Sequence, residues 1–387
     1  MHGGRAVQTL VPTCKPALPL LLSTLAVQCA IAPSLGCRAD DDADDTSVIG
    51  AFEGLFDDVA TGLNFPFDIG IAPDDPATSD DIEGGDIYVA NYGTSEIMRV
   101  IDPTGEPSGD PAAAIFDGTS VGFAGAMAVS VPDHNHVWAA FEQGGDNGGG
   151  GIAILDADGT LIATLDGSEH DAFFNPGGLC FGGWDEPGAL AYFYLVNFGD
   201  GSAWRIAVSS LDGTDPTFTR IGSGLAVGTP GNPGSPGNGL TSSSDLPQDG
   251  ARGCAYAGGS LYVADAQNAR IVRFDDANVD DGIDGVGLED LGSGLVTYPT
   301  DVTINEEGYL IIISYDNAQA FVTVELPTGR FIDNGLHDLS VNAGNYGTAV
   351  ASGTVWFTRA NNSNGTLRAI TATQDVLPTT AGPFPPQ

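Results

Sequence analysis

Two carboxylates occupy the same place in a recurring sequence pattern, where they are suited to bind a cation. Asp68 and Asp301 each stand near the start of a short apolar stretch, PFDIGIA (66–72) and TDVTINE (300–306). Carboxylate oxygens are ligands that calcium prefers, so the pair predicts a weakly held divalent cation, with Ca²⁺ as the candidate cofactor. The alternative is that each carboxylate accepts hydrogen bonds from neighbouring backbone N–H groups, as Asp often does at turns.

Five further polar side chains are candidates for the same ligand-binding site. Arg252 and Arg359 interrupt columns of small or short polar residues, and each either binds an anionic ligand group or pairs with the aspartates. Asn91 and Asn197 end a second set of apolar stretches, where their side chains bind a ligand or cap turns. His170 precedes another apolar stretch and is a candidate base, with an ordinary surface loop as the alternative. The histidines lack the spacing of a zinc site.

The elements that carry these residues repeat six times along the chain. The segment GGDIYVANYGTSEIMRVIDPTGE (84–106) recurs as GGSLYVADAQNARIVRFDDANVD (258–280), and four weaker copies follow the same pattern. The equivalent central residues are Tyr88, Trp138, Tyr194, Tyr262, Ile311 and Trp356. Each copy contains an inner strand and three further strands joined by tight turns. Four short strands per unit at this period are typical of a β-propeller.

The two ends of the chain predict how the ring closes. GLFDDVATGLNFPFDI (54–69) parallels LEDLGSGLVTYPTDV (288–302), where an outer strand runs into the next inner strand. The N-terminal stretch therefore supplies the fourth strand that the last copy lacks, and the pairing removes an exposed sheet edge. We predict an all-β, six-bladed propeller over residues 48–376, with four-stranded antiparallel blades. Asp68 and Asp301 then open the inner strands of blades 1 and 5 and converge at the mouth of the central channel.

The best copy, LYVADAQNARIVRFD (261–275), resembles NHL-type repeats. The resemblance covers nearly all of residues 48–376 and implies a six-bladed propeller. That superfamily includes gluconolactonase-type lactonases, streptogramin-lyase-like enzymes, peptidyl-amidoglycolate lyases and non-catalytic binding modules. The resemblance therefore implies the fold and does not single out one activity.

The metal ligands implied by the gluconolactonase resemblance do not carry over to this chain. A shorter Asp68 stands where those enzymes have a Glu, Gly177 where they have an Asn, and Arg252 where they have an Asp. A guanidinium offers no lone pair to a metal. We therefore predict a non-catalytic module that binds a small molecule or an envelope protein. The alternatives are a divalent-metal-dependent lactonase or a streptogramin-lyase-like lyase.

Composition excludes one class of partner. The chain has 51 Asp and Glu against 12 Lys and Arg, and Lys15 is its only lysine. A surface this negative repels nucleic-acid phosphates. It suits cations, cationic ligands or a salty environment.

The N-terminal residues predict export. Residues 1–36 have the charge and apolar run of a signal peptide, 37–47 form an acidic tether, and 377–387 form a Pro-rich tail. Ser34-Leu35-Gly36-Cys37 resembles a lipobox, which predicts lipidation of Cys37 and an envelope location in the periplasm or on the surface. Ordinary secretion after cleavage at Ala32 is the alternative. Contact with a membrane is expected only through that lipid.

Two cysteines, Cys180 and Cys254, remain outside the targeting segment. Each lies in a predicted inner strand, and the two strands belong to neighbouring blades. We predict buried, inert thiols. Although a disulfide is chemically permitted outside the cytosol, the two positions are out of phase by one residue, so we expect their side chains to diverge.

Overall fold

The computed structural model of this chain contains six four-stranded antiparallel sheets. The structure describes residues 56–73, 85–101, 112–167, 171–185, 188–227, 250–275, 286–287, 298–305, 307–315, 321–326, 330–332, 344–351, 354–360 and 365–370. All of them belong to one unit, 45–387. The predicted signal peptide, tether and Pro-rich tail lie outside the described residues. No helix in the described ranges is long and apolar enough to cross a membrane.

Each sheet is one blade. The strand at the inner edge of each blade, called its inner strand, lines the central channel. The first half of the chain contains β1 (Phe56–Leu63), β2 (Pro66–Ile71), β3 (Ile87–Asn91), β4 (Glu96–Val100), β5 (Ala113–Asp117), β6 (Phe123–Ser130), β7 (His136–Gly144), β8 (Gly151–Asp156), β9 (Leu161–Asp166), β10 (Pro176–Trp184), β11 (Ala191–Asn197), β12 (Ser202–Val208) and β13 (Thr217–Gly222). The second half contains β14 (Cys254–Ala257), β15 (Ser260–Asp265), β16 (Arg270–Asp275), β17 (Val286–Gly287), β18 (Pro299–Ile304), β19 (Tyr309–Ser314), β20 (Phe321–Glu325), β21 (Arg330–Ile332), β22 (Asn345–Ala351), β23 (Thr354–Arg359) and β24 (Gly365–Ile370). Blades 1 to 5 take four consecutive strands each, from β2–β5 to β18–β21.

The sixth blade closes the ring with the N-terminal strand, as predicted. Its order is β1-β24-β23-β22, and β1 pairs with β24 so that Phe56 faces Ile370 and Leu63 faces Gly365. Val59 and Leu63 are buried between this blade and blade 1. The two chain ends thus share one sheet, and β24 is not left as an edge.

The second strand of each blade is sandwiched between neighbouring blades, which explains its sequence. A strand buried on both faces needs a continuous apolar run rather than alternation. In β19 the sequence YLIIIS is buried at every position, whereas the outer strand β9 is largely exposed. The six central residues identified from the repeat are all buried in these second strands. Trp138 of blade 2 stacks on Phe193 of blade 3, with ring centroids 3.8 Å apart.

The turn between the third and fourth strands of blade 2 has the chemistry expected from its sequence. Asp156 Oδ1 accepts the N–H groups of Asp158 and Thr160, at 3.0 and 2.7 Å. Gly159 adopts φ +84°, a conformation that costs glycine little. Residues 156–159 thus form the tight turn that joins β8 to β9.

Candidate functional site

A β-bulge occurs near the start of every inner strand. In blade 1, Pro66 faces Asn91 and Asp68 faces Ala90, so Phe67 has no opposite residue. The equivalent extra residues are Phe67, Met127, Gly177, Arg252, Thr300 and Tyr346. Bulges redirect side chains. In blade 2 the residue at the position of Asp68 is Ala128, which pairs with Ala140.

The redirected side chains close one end of the channel. The guanidinium carbon of Arg252 lies 4.6 Å from the ring centroid of Phe67 and 5.1 Å from that of Tyr346. The two rings meet edge to face at 4.4 Å, and Met127 packs in the same cluster. Guanidinium groups stack favourably on aromatic faces. We call Phe67, Met127, Arg252 and Tyr346 the plug; Arg252, the most polar of them, is 3% exposed.

Beneath the plug lies a cavity of about 250 Å³. Its walls are the inner strands of all six blades, at residues 68–71, 129–131, 179–181, 254–256, 301–304 and 348–350. Asp68 and Asp301 stand at the plug end. At the other end Ile71, Phe181 and Tyr256 are partly exposed. In the part of the chain that the structure describes, the cavity is closed at the plug and open on the opposite face, so the two aspartates lie at its floor.

The structure brings Asp68 and Asp301 together, and both also bond to backbone. Asp68 accepts the N–H of Ile69 at 2.7 Å and that of Val129, in blade 2, at 3.0 Å. Asp301 accepts the N–H of the residue after it and that of Thr348, in blade 6, both at 2.7 Å. Each carboxylate therefore ties its own inner strand to the next one. The two side chains are also hydrogen-bonded to each other, and we call them the carboxyl pair.

Glycines on neighbouring strands make room for the carboxyl pair. A Cβ on Gly253 would overlap the carboxyl group of Asp301, and a Cβ on Gly347 would lie 2.6 Å from the Asp68 Cα. The inner strands are thus in close contact at this level. This explains why the equivalent positions hold small residues except where the two aspartates stand.

The carboxyl pair holds a proton near neutral pH. Burial is the main cause that raises the pKa of Asp68 to about 7, against the lowering effect of its backbone hydrogen bonds. Burial, followed by the negative charge of Asp68, raises the pKa of Asp301 well above its ordinary value. Two carboxylates this close cannot both ionise freely. Asp301 therefore keeps its proton longer and donates it to Asp68.

The carboxyl pair is a sparse ligand set for a divalent ion. Calcium takes six to eight oxygens, and each oxygen of the pair already accepts one backbone N–H. Within the described part of the chain, no group of three or more His, Cys, Asp or Glu side chains could hold a metal. Weak binding of a cation at Asp68 and Asp301 stays a prediction.

Asn91 and Asn197 make equivalent side-chain hydrogen bonds to the backbone in blades 1 and 3. Asn91 Oδ1 accepts the N–H of Asn64, and Asn197 Oδ1 accepts that of Phe174, at 2.7 and 3.1 Å. Asp265 accepts the N–H of Ala226 in the same way. Each of these side chains joins the end of a second strand to the segment that enters the blade. The bonds agree with the alternative that Asn91 and Asn197 cap turns. Their contact with a ligand stays a prediction.

The remaining candidates are Arg359 and His170. Arg359 ends β23 opposite Asn345 and is half-buried. Burial, followed by the nearby positive charge of Arg368, lowers its pKa. Across the described residues, no carboxylate forms an ion pair with Arg359. His170 falls outside the described residues, so its role stays a prediction.

The expectation that Cys180 and Cys254 diverge is wrong, because they form a disulfide with a Cα–Cα distance of 5.8 Å. They are indeed one residue out of phase: Cys180 pairs with Tyr194, whereas the residue that pairs with the equivalent Tyr262 is Ala255. Successive blades face each other, so residues in phase point the same way around the ring. Residues out of phase by one point toward each other, and both cysteines are among the residues that line the cavity.

A histidine network links blades 2 and 3. His136 Nδ1 lies 2.9 Å from Asp133 Oδ1, and His136 Nε2 lies 3.0 Å from Asp212 Oδ1. The hydrogen bond to Asp133 is the main cause that raises the pKa of His136. Asp133 and His136 are close in sequence, but Asp212 comes from another blade, so only the fold reveals the network.

Comparisons with known proteins support the fold. No family model and no curated protein match the sequence. A Bacteroides thetaiotaomicron protein of unknown function is similar in structure at TM-score 0.51 and 12% identity, over 81% of this chain and 75% of that one. A gluconolactonase from Xanthomonas campestris gives 0.49 and 12%, over 79% and 86%. A PQQ-bound aldose sugar dehydrogenase from Streptomyces coelicolor gives 0.46 and 14%, over 82% and 97%. At such identities the likeness concerns the fold alone, and the chain is a six-bladed β-propeller.

Proposed function

We propose that this propeller is a non-catalytic binding module that takes a small ligand into its blind cavity, with NHL-type repeats as the scaffold. One observation carries the proposal: the cavity is closed by the plug, has the carboxyl pair at its floor, and has partly exposed apolar side chains at its open end. Ligand sites usually combine apolar walls with a few convergent polar groups. An apolar cavity of about 150 Å³ binds benzene, and drug-sized ligands need roughly 300 Å³ or more. A volume of about 250 Å³ therefore suits a ligand slightly larger than a single ring.

Filling the cavity tests this function. Benzyl alcohol, a neutral probe, is expected to bind the full chain saturably in ligand-observed NMR. Thr303→Phe places a ring at the cavity wall, because Thr303 lines the cavity and is partly exposed, and is expected to abolish binding. Thr217→Phe on the exposed outer strand β13 is the matched control. Equal binding to both variants, or no saturable binding to the parent, would contradict the proposal.

The lactonase alternative makes the opposite prediction about metals. We expect no calcium-dependent turnover of aldonolactones, because Gly177 and Arg252 replace two metal ligands that such enzymes need, and because Arg252 lies in the plug. Calorimetric titration with Ca²⁺ is expected to give weak binding at most. Turnover that requires Ca²⁺ and disappears in Asp68→Ala or Asp301→Ala would establish the enzyme instead.

We also propose that the module is exported and held in the cell envelope by a lipid on Cys37. The charged and apolar N-terminal residues and the acidic stretch after Cys37 support this. Intact-mass analysis of the mature protein is expected to show a lipid-modified chain beginning at Cys37. An unmodified chain beginning at Pro33 would indicate ordinary secretion.

A further inference from the structure

We propose that the floor of the cavity binds the head group of a primary ammonium ion whose apolar body lies along the walls toward the open end. This inference rests on the proposed binding function and names its ligand class. It starts from the distribution of polar groups in the cavity. Among the described residues that line the cavity, the acidic side chains are Asp68 and Asp301, both at the blind end, and none is basic.

The carboxyl pair suits an ammonium group better than other head groups. Each of its four oxygens accepts one backbone N–H, which leaves lone pairs for a donor with several N–H groups. A primary ammonium has three such donors in a small volume. A quaternary ammonium has none and favours aromatic cages, whereas a carboxylate or phosphate would be repelled.

The walls determine the body of the ligand. From Asp68 to Ile71 the inner strand advances three residues, or about 10 Å. The side chains of Ile69, Leu179 and Val302 along this length are buried between blades. At the open end Ile71, Phe181 and Tyr256 are partly exposed and present an apolar surface to the cavity. A short alkyl or arylalkyl group fits such a surface. The chain's net charge of −39 further favours a cation over a neutral ligand on approach.

Binding displaces the proton that the carboxyl pair shares. When an ammonium ion donates to both carboxylates, the hydrogen bond from Asp301 to Asp68 is replaced by two from the ligand, and the proton leaves to the buffer. Affinity for an amine should therefore rise with pH up to the pKa of the amine. Affinity for a neutral alcohol should not rise, since it gains little from the second negative charge.

The experiment compares benzylammonium with benzyl alcohol, which has the same ring and a neutral head group. Hydrogen bonds to charged groups are stronger than neutral ones, so we expect benzylammonium to bind the full chain roughly 10- to 100-fold more tightly. Calorimetry in buffers of different ionisation enthalpy is expected to show proton release with benzylammonium. Benzyltrimethylammonium and benzoate are expected to bind at least tenfold more weakly than benzylammonium.

Asp68→Asn and Asp301→Asn test the carboxyl pair itself. Each is expected to remove the preference for benzylammonium while benzyl alcohol still binds. If either variant is unfolded, the pH dependence in the parent decides: an affinity for benzylammonium that stays flat from about pH 6 to about pH 8 overturns the inference. Equal binding of amine and alcohol overturns the ammonium class but leaves cavity binding standing. Failure of both probes overturns the proposed function as well.

Discussion

A chain that begins at Asn64, and so lacks β1, is expected to be unfolded or aggregated under conditions where the parent is folded. The deletion removes the buried Val59 and Leu63, each contributing about 1.5–3 kcal/mol through burial. It also removes the hydrogen bonds of β1 and leaves β24 as an exposed edge that can pair with other chains. Against a total stability of about 5–15 kcal/mol, this is a large loss.

Circular dichroism and size-exclusion chromatography measure the result, with a chain beginning at Val48 as the control that retains β1. A circular permutant provides a sharper test. Phe56 faces Ile370 in the sheet, so residues 48–63 joined after residue 376 can re-form the strand as a hairpin. This permutant is expected to recover the parent's melting temperature. A folded, monomeric chain without β1 would show that the strand is dispensable.

The second large effect is a loss of stability as pH rises. The folded pKa of Asp68 is about 7, above its ordinary value of 3.8. A raised carboxyl pKa means that the folded state holds its proton more tightly than the unfolded state does. Its stabilising contribution is therefore complete below about pH 4 and is lost as pH rises through about 7. Three pKa units correspond to a loss on the order of 4 kcal/mol, and Asp301 acts in the same direction.

Chemical denaturation between about pH 5 and about pH 8 measures the larger part of this loss. His136 contributes in the same direction, because its raised pKa gives stability that is present below pH 6.5 and lost as pH passes the folded value. His136→Gln removes that part and should leave most of the slope. Asp68→Asn combined with Asp301→Asn should flatten the profile, although it also weakens backbone hydrogen bonds and lowers stability at pH 5.

High salt separates this effect from general charge repulsion. Repulsion among the many surface carboxylates is screened by salt, whereas a buried pair is screened much less. The slope in the parent should therefore persist at high ionic strength. Stability that is constant, or that increases, between pH 5 and pH 8 would show that the carboxyl pair is ionised without cost in the folded protein.

Much of the architecture could be predicted from local sequence. The recurrence of an apolar core residue in each second strand predicted six blades, since a strand between two blades must be apolar on both faces. The similarity of residues 54–69 to 288–302 predicted ring closure through β1. The convergence of Asp68 and Asp301 also followed, because equivalent strand positions in a ring lie at the same height.

Only the tertiary structure decided what surrounds those carboxylates. The bulges that turn Phe67, Arg252 and Tyr346 into a plug have no signal in the alternation of apolar residues, and they determine which end of the cavity is open. The disulfide was missed for a related reason. The position of a cysteine within its repeat tells which side of its own strand it occupies. Whether Cys180 meets Cys254 depends on how neighbouring blades face each other. The raised pKa of Asp68 has the same origin, because burial comes from six strands that meet only in the folded ring.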